Sequence, residues 1–102
     1  MSIRKQLDNA SWQDRLQSIT SGNSGRTAAI AAEGTTLVEQ KNFISIGYDP
    51  IGKGNDIFIS LADYDHKVFA PVELFIEEDE KGRLLTVEII DQNSQSNYLR
   101  FM

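Results

Sequence analysis

The chain has 102 residues, 40% of them hydrophobic, and a formal charge of −5. That length suits one domain with one core, and the scattered lysines and arginines leave no stripe to neutralise nucleic acid and no polybasic patch for a membrane surface. With no cysteine there is no disulfide framework, thiol nucleophile or cysteine-type zinc site, and His66 is the single histidine.

The opening Met-Ser-Ile-Arg-Lys-Gln carries a basic pair but no apolar run behind it, and nowhere do about 18 apolar residues follow one another. The expectation is a cytoplasmic protein that does not enter a membrane. The first predicted element is a helix, with Ser11 as its N-cap and Asp14 favouring the positive end of the dipole. Trp12, Leu16 and Ile19 recur at helical spacing and form the stripe that docks on a sheet. The run from Ser21 to Gly25 ends the helix, with Gly22 as its left-handed terminal residue.

From Arg26 the period changes to two, and β-branched and aromatic residues dominate. Strands are predicted over Thr27 to Glu33, Thr36 to Gln40, Phe43 to Tyr48, Ile57 to Ala62, Val72 to Glu78, Leu84 to Asp91 and Asn97 to Phe101. Turn chemistry separates them at Glu33-Gly34, at Asp49-Pro50 with Gly52 and Gly54, at Glu80-Lys81-Gly82 and from Asp91 to Ser96. Short turns between consecutive strands imply an antiparallel meander. The alanines at 28, 29, 31 and 32 favour helix intrinsically, but their threonine flanks and position assign them to a strand. The fold expected for residues 1–102 is thus α+β and a single domain. One N-terminal helix packs on a strongly twisted or half-barrel antiparallel meander of about six or seven strands.

Trp12 in the helix, Gly47-Tyr48-Asp49-Pro50 at a strand end, Asp65-His66 four residues before Ala70-Pro71, and the strand Leu84 to Asp91 stand in an order that resembles a known kind of family. The chain is similar, from about Trp12 onward, to small bacterial protein families known only as domains of unknown function. The resemblance implies a helix-plus-sheet domain and transfers no catalytic residue.

Asp63, Asp65 and His66 form the densest set of ligand-type side chains, of a chemistry that suits zinc, manganese or iron. On an extended segment, however, Asp63 and Asp65 point one way and His66 the other, so a shared metal needs a turn here. A turn-forming aspartate beside a hydrogen-bonded histidine is the commoner arrangement. Acid/base or nucleophilic catalysis through His66 lacks a serine elbow around Ser45, Ser60 or Thr86. The sequence is therefore read as non-enzymatic, with no cofactor and no metal.

The Ile51 to Asp56 loop could form an anion nest under Lys53, but a glycine follows that lysine and then a strand, unlike a Walker loop. Calcium through Asp49, Asn55 and Asp56 matches no EF-hand spacing. The acids Glu77 to Glu80 read as a solvated hairpin tip. Most aromatic residues fall at core positions; Tyr64 and Phe69 flank Asp65-His66 in a segment without strand periodicity and form the apolar part of a candidate surface.

The expected function is a protein-interaction or accessory domain using residues 63–71, with Tyr48, Asp63, Tyr64, Asp65, His66 and Phe69 as candidate binding residues. Its partner is another protein or, through a sheet edge, a second copy in a homodimer, and not nucleic acid. The competing expectation is a small-ligand or metal-binding domain with its site near Asp63, Asp65 and His66.

Overall fold

The computed structural model describes residues 2–49 and 56–102. A short strand β1 (Ile3–Gln6) leads through a 3-10 turn (Asn9–Ser11) into helix α1 (Trp12–Asn23). Seven further strands follow: β2 (Thr27–Ala32), β3 (Thr35–Asp49), β4 (Asp56–Leu61), β5 (Tyr64–Phe69), β6 (Pro71–Glu78), β7 (Leu84–Asp91) and β8 (Ser96–Phe101). All pairings are antiparallel, in the order β1-β6-β7-β8-β2-β3-β4-β5. The class is α+β with one helix on an antiparallel sheet. Among the described residues the sheet has eight strands and does not close into a barrel.

Helix α1 forms where the stripe predicts it, with Trp12, Leu16 and Ile19 all buried. Its ends differ from expectation. Ser11 makes no cap bond to the helix; its Oγ donates to Asp8 O at 2.8 Å, because the preceding 3-10 turn already occupies that hydroxyl. Gly22 stays helical, and the left-handed residue is Gly25 at φ 88, whose N–H donates to Phe43 O at 2.9 Å and ties the exit to β3. The helix is fastened to β3 at two more points. Thr20 Oγ1 accepts the Ile46 N–H at 2.9 Å and lies 3.0 Å from Leu16 O. Trp12 meets Tyr48 edge-on with ring centroids 5.0 Å apart, while its Nε1 donates to Leu7 O at 3.1 Å.

Two predicted strands, Thr36 to Gln40 and Phe43 to Tyr48, are halves of one, β3. Its first half pairs with β2 and its second with β4. A bulge between Phe43 and Ser45 lets Phe43 and Ile46 both face the core, since one inserted residue resets the alternation. The alanine-rich segment is indeed a strand, β2, buried between β8 and β3. The flanking ladders override alanine's helix preference. Glu33 at φ 52 and Gly34 at φ 77 form the tight β2–β3 turn, both in the left-handed region that a two-residue hairpin favours.

Strands β5 and β6 stand six positions apart in the strand order yet are joined by Ala70 alone. In a flat sheet, that separation is about 29 Å, far beyond the reach of one linking residue. The β4–β5 ladder must therefore lie over the rest of the sheet, and the long strand β3, by changing partners along its length, brings it there. Ala70 turns the corner at φ 50, with its carbonyl accepting from Gln92 N–H at 3.0 Å. Between the layers lies one core that includes Trp12, Ile30, Phe43, Ile57, Ile59, Leu74, Ile89 and Leu99.

The acidic run Glu77–Glu80 is only half in the expected hairpin tip: Glu77 and Glu78 end β6, paired with β1 and β7, and the turn starts at Asp79, whose Oδ1 accepts N–H groups of Lys81 and Arg83, both at 2.9 Å. Its acids also hold β1, through Lys5–Glu78 at 3.2 Å and Ser2–Glu77 at 2.7 Å.

Candidate functional site

The segment from Asp63 to Pro71, read from sequence as lacking strand periodicity, is for the most part strand β5. Ala62 and Asp63 form the two-residue turn between Leu61 and Tyr64, with Asp63 in the left-handed region at φ 63, which aspartate tolerates better than most side chains. Alternation along β5 then sends Tyr64, His66 and Val68 inward and Asp65, Lys67 and Phe69 outward. The periodicity escaped detection because the inward set includes a histidine and the outward set a phenylalanine.

Asp65 and His66 thus lie on opposite faces of one strand. Among the described residues no group of three or more potential metal ligands converges. His66 reaches across the layers instead: its Nε2 is 3.1 Å from Asn97 Oδ1 on β8. Because the Asn97 amide nitrogen points to Ile89 O, at 3.5 Å, the amide oxygen accepts and the imidazole Nε2–H donates. Tyr64 packs against the core from the same side, and Tyr48 does so beside Trp12. Phe69 is the opposite case, at 68% exposed.

The outer face of β3–β4–β5 is ordered in cross-strand rows. Gly47, Phe58 and Lys67 make one; Ser45, Ser60 and Asp65 the next; Asp49, Asp56 and Phe69 a third. Phe58 stands opposite a glycine, so its ring keeps an open flank. Lys67 lies between two rings, its Nζ 5.0 Å from the Phe58 centroid and 5.7 Å from that of Phe69. A shallow groove of about 450 Å³ runs here, lined by Phe58, Ile59, Ser60, Asp65, His66 and Lys67. Lys67 and Phe58 were not singled out by sequence reasoning, since their partnership depends on the β4–β5 register.

The backbone of β5 has a definite polarity. Ala62 N–H donates to Asn42 O at 2.9 Å, so even-numbered residues of β4 turn their backbone groups to β3 and odd-numbered ones turn theirs to β5. Their β5 partners are Tyr64, His66 and Val68. Asp65, Lys67 and Phe69 therefore direct N–H and C=O away from the sheet, and no strand pairs with them among the described residues.

A second feature lies beside helix α1. An open cleft of about 410 Å³ is lined by Arg15, Arg26 and Arg83 together with Ser18, Asn23 and Glu78, among others. Arg26 Nη1 donates to Asn23 Oδ1 at 2.7 Å and to Leu84 O at 2.9 Å, its guanidinium lies 4.7 Å from the Phe101 centroid, and its Nε is buried without a partner. Burial, and then the charge of Arg83, depress the Arg26 guanidinium below its ordinary range, against an opposing effect of Asp79.

Residues 50–55, on which the expected turn with Gly52 and Gly54, the weaker anion-nest reading around Lys53 and the calcium set with Asn55 all depend, lie outside the described residues. No helix among the described residues is long and apolar enough to cross a membrane. The model of a family of unknown function, DUF5335, matches residues 3–102. No curated protein and no solved structure matches the chain.

Proposed function

We propose that the chain, which belongs to the family of unknown function DUF5335, is a non-enzymatic protein-interaction domain that works through strand β5 and the outer face beside it. The observation that carries this reading is the combination on one edge strand of outward backbone groups and an exposed aromatic, Phe69, next to Phe58 and Lys67. The other edge strand, β1, is four residues long and tied down by charge, through Arg4–Glu88 and Lys5–Glu78. Edge strands are blunted by such devices; β5 is less so, and an added strand finds both hydrogen bonds and apolar contact there. The same reading sets the protein in the cytoplasm, in keeping with its acidic, cysteine-free composition.

The test is affinity capture with the wild type beside Lys67→Pro. That substitution removes an N–H directed away from the sheet and leaves the β4–β5 ladder bonds in place, as proline does on edge strands. A partner retained by the wild type and lost by the variant supports the reading. Capture of nothing, or of partners indifferent to the variant, overturns it.

A second reading, binding of a small anion, is favoured by one observation: Arg15, Arg26 and Arg83 line one open cleft of a protein whose net charge is −5. This cleft is distinct from the ligand location expected near Asp63, Asp65 and His66. Titration of inorganic phosphate or a dicarboxylate into wild type and Arg83→Ala by calorimetry tests it; no heat in either sinks it.

A further inference from the structure

We propose that the occupant of the β5 edge is the β5 strand of a second copy, paired antiparallel about a two-fold axis at His66, so that Asp65 of each copy faces Lys67 of the other. This rests on the interaction reading above and names the partner.

The argument is one of register. Two copies that extend one continuous antiparallel sheet keep inner residues opposite inner and outer opposite outer. The axis must then pass through a residue, and β5 offers few choices. Centred at Asp65 it sets that carboxylate against itself and asks Asp63, which is out of the strand at φ 63, to meet Lys67. Centred at Lys67 it opposes two ammonium groups. Centred at Val68 the overlap is cut short by Ala70, which leaves the extended region at φ 50. Centred at His66, Tyr64 faces Val68, Asp65 faces Lys67, and the whole stretch 64–68 overlaps.

The backbone agrees. Asp65 and Lys67 are the residues whose N–H and C=O point outward, so each Asp65–Lys67 pair exchanges both of its hydrogen bonds, and His66 falls at a non-hydrogen-bonded pair. In this register Phe69 lies over the second copy's Ala62–Asp63 turn, which covers the most exposed aromatic ring of the described chain. Asp65 and Lys67 thereby act as a lock: they discourage pairing with an arbitrary strand and favour the one register in which their charges match.

The experiment is sedimentation equilibrium of the full chain from about 10 µM to 1 mM, the range suited to a small edge interface. The wild type is expected to dimerise. Asp65→Lys and Lys67→Asp each convert two attractions into two repulsions and should weaken the dimer about 10- to 30-fold, and the double exchange should restore it to within a few-fold of wild type. Register is read separately by cross-linking, which is clean in a chain without native cysteine. His66→Cys should form an intermolecular disulfide on mild oxidation, because the facing Cα atoms stand about 4.5 Å apart at such a pair. Lys67→Cys should form far less. A wild type that stays monomeric at 1 mM overturns the proposal, as does a dimer indifferent to both single reversals or cross-linked through residue 67 rather than 66. A monomer that still captures a different protein in a manner sensitive to Lys67→Pro overturns self-pairing alone and leaves the interaction reading standing.

Discussion

Replacing His66 by alanine removes the donor to Asn97 Oδ1, and Asn97 has little else to turn to: its side chain is only 8% exposed, and its other bond, to Ile89 O, is 3.5 Å long. Leaving a buried acceptor without a partner costs about 1–3 kcal/mol, more than the net worth of the bond itself. The loss should be felt by the whole fold, because this contact joins β5 to β8, four positions apart in the strand order, across the layers. Asn97→Ala should cost less, about 1 kcal/mol, since the half-buried imidazole can then turn to water. The two residues form one contact, so the double variant should lose less than the sum of the singles, with a coupling of about 1 kcal/mol. Urea unfolding of the four proteins measures this, and in a domain of this size each kcal/mol also moves Tm by about 4–8 °C. Loss of less than about 0.3 kcal/mol in His66→Ala, or additivity within that margin, would refute the assignment of His66 as a tie between the layers.

Thr20→Val keeps the shape but removes the hydroxyl that accepts Ile46 N–H, so the fold should lose about 1–3 kcal/mol, and hydrogen exchange at the Ile46 amide should rise while the β7 amides keep their relative protection. Unchanged exchange at Ile46 would remove Thr20 from the docking of helix to sheet. Ala70→Gly should stabilise by about 0.5–1 kcal/mol, because alanine at φ 50 carries the left-handed penalty and glycine, despite its greater unfolded-state entropy, does not. A lower Tm for this variant would show that the corner between β5 and β6 is unstrained.

The local signals were strong where one side of an element is uniformly apolar. Trp12, Leu16 and Ile19 sufficed to specify α1, and Leu84 to Asp91 matches β7 end for end. The same criterion missed β1, whose four residues are all exposed and are held by ion pairs with β6 and β7. It also missed β5, where polar and apolar residues occur on both faces. Of the candidate site, the sequence singled out Asp65, His66 and Phe69 and set Asp65 opposite His66 if the segment is extended, but it could not say which face is buried, nor join Lys67 to Phe58, because both depend on pairing with a neighbouring strand.

By itself, then, the sequence determined the class: one amphipathic helix, alternating strands and glycine- or aspartate-marked turns dictate α+β antiparallel architecture, since period and turn chemistry are written within a few residues. Tertiary structure alone decided the strand order, with β1 against β6 and β8 against β2, and hence which strand was left as an open edge. Those pairings join segments distant in the chain through backbone groups common to every residue, and a backbone hydrogen bond leaves no mark in the side chains that a sequence displays.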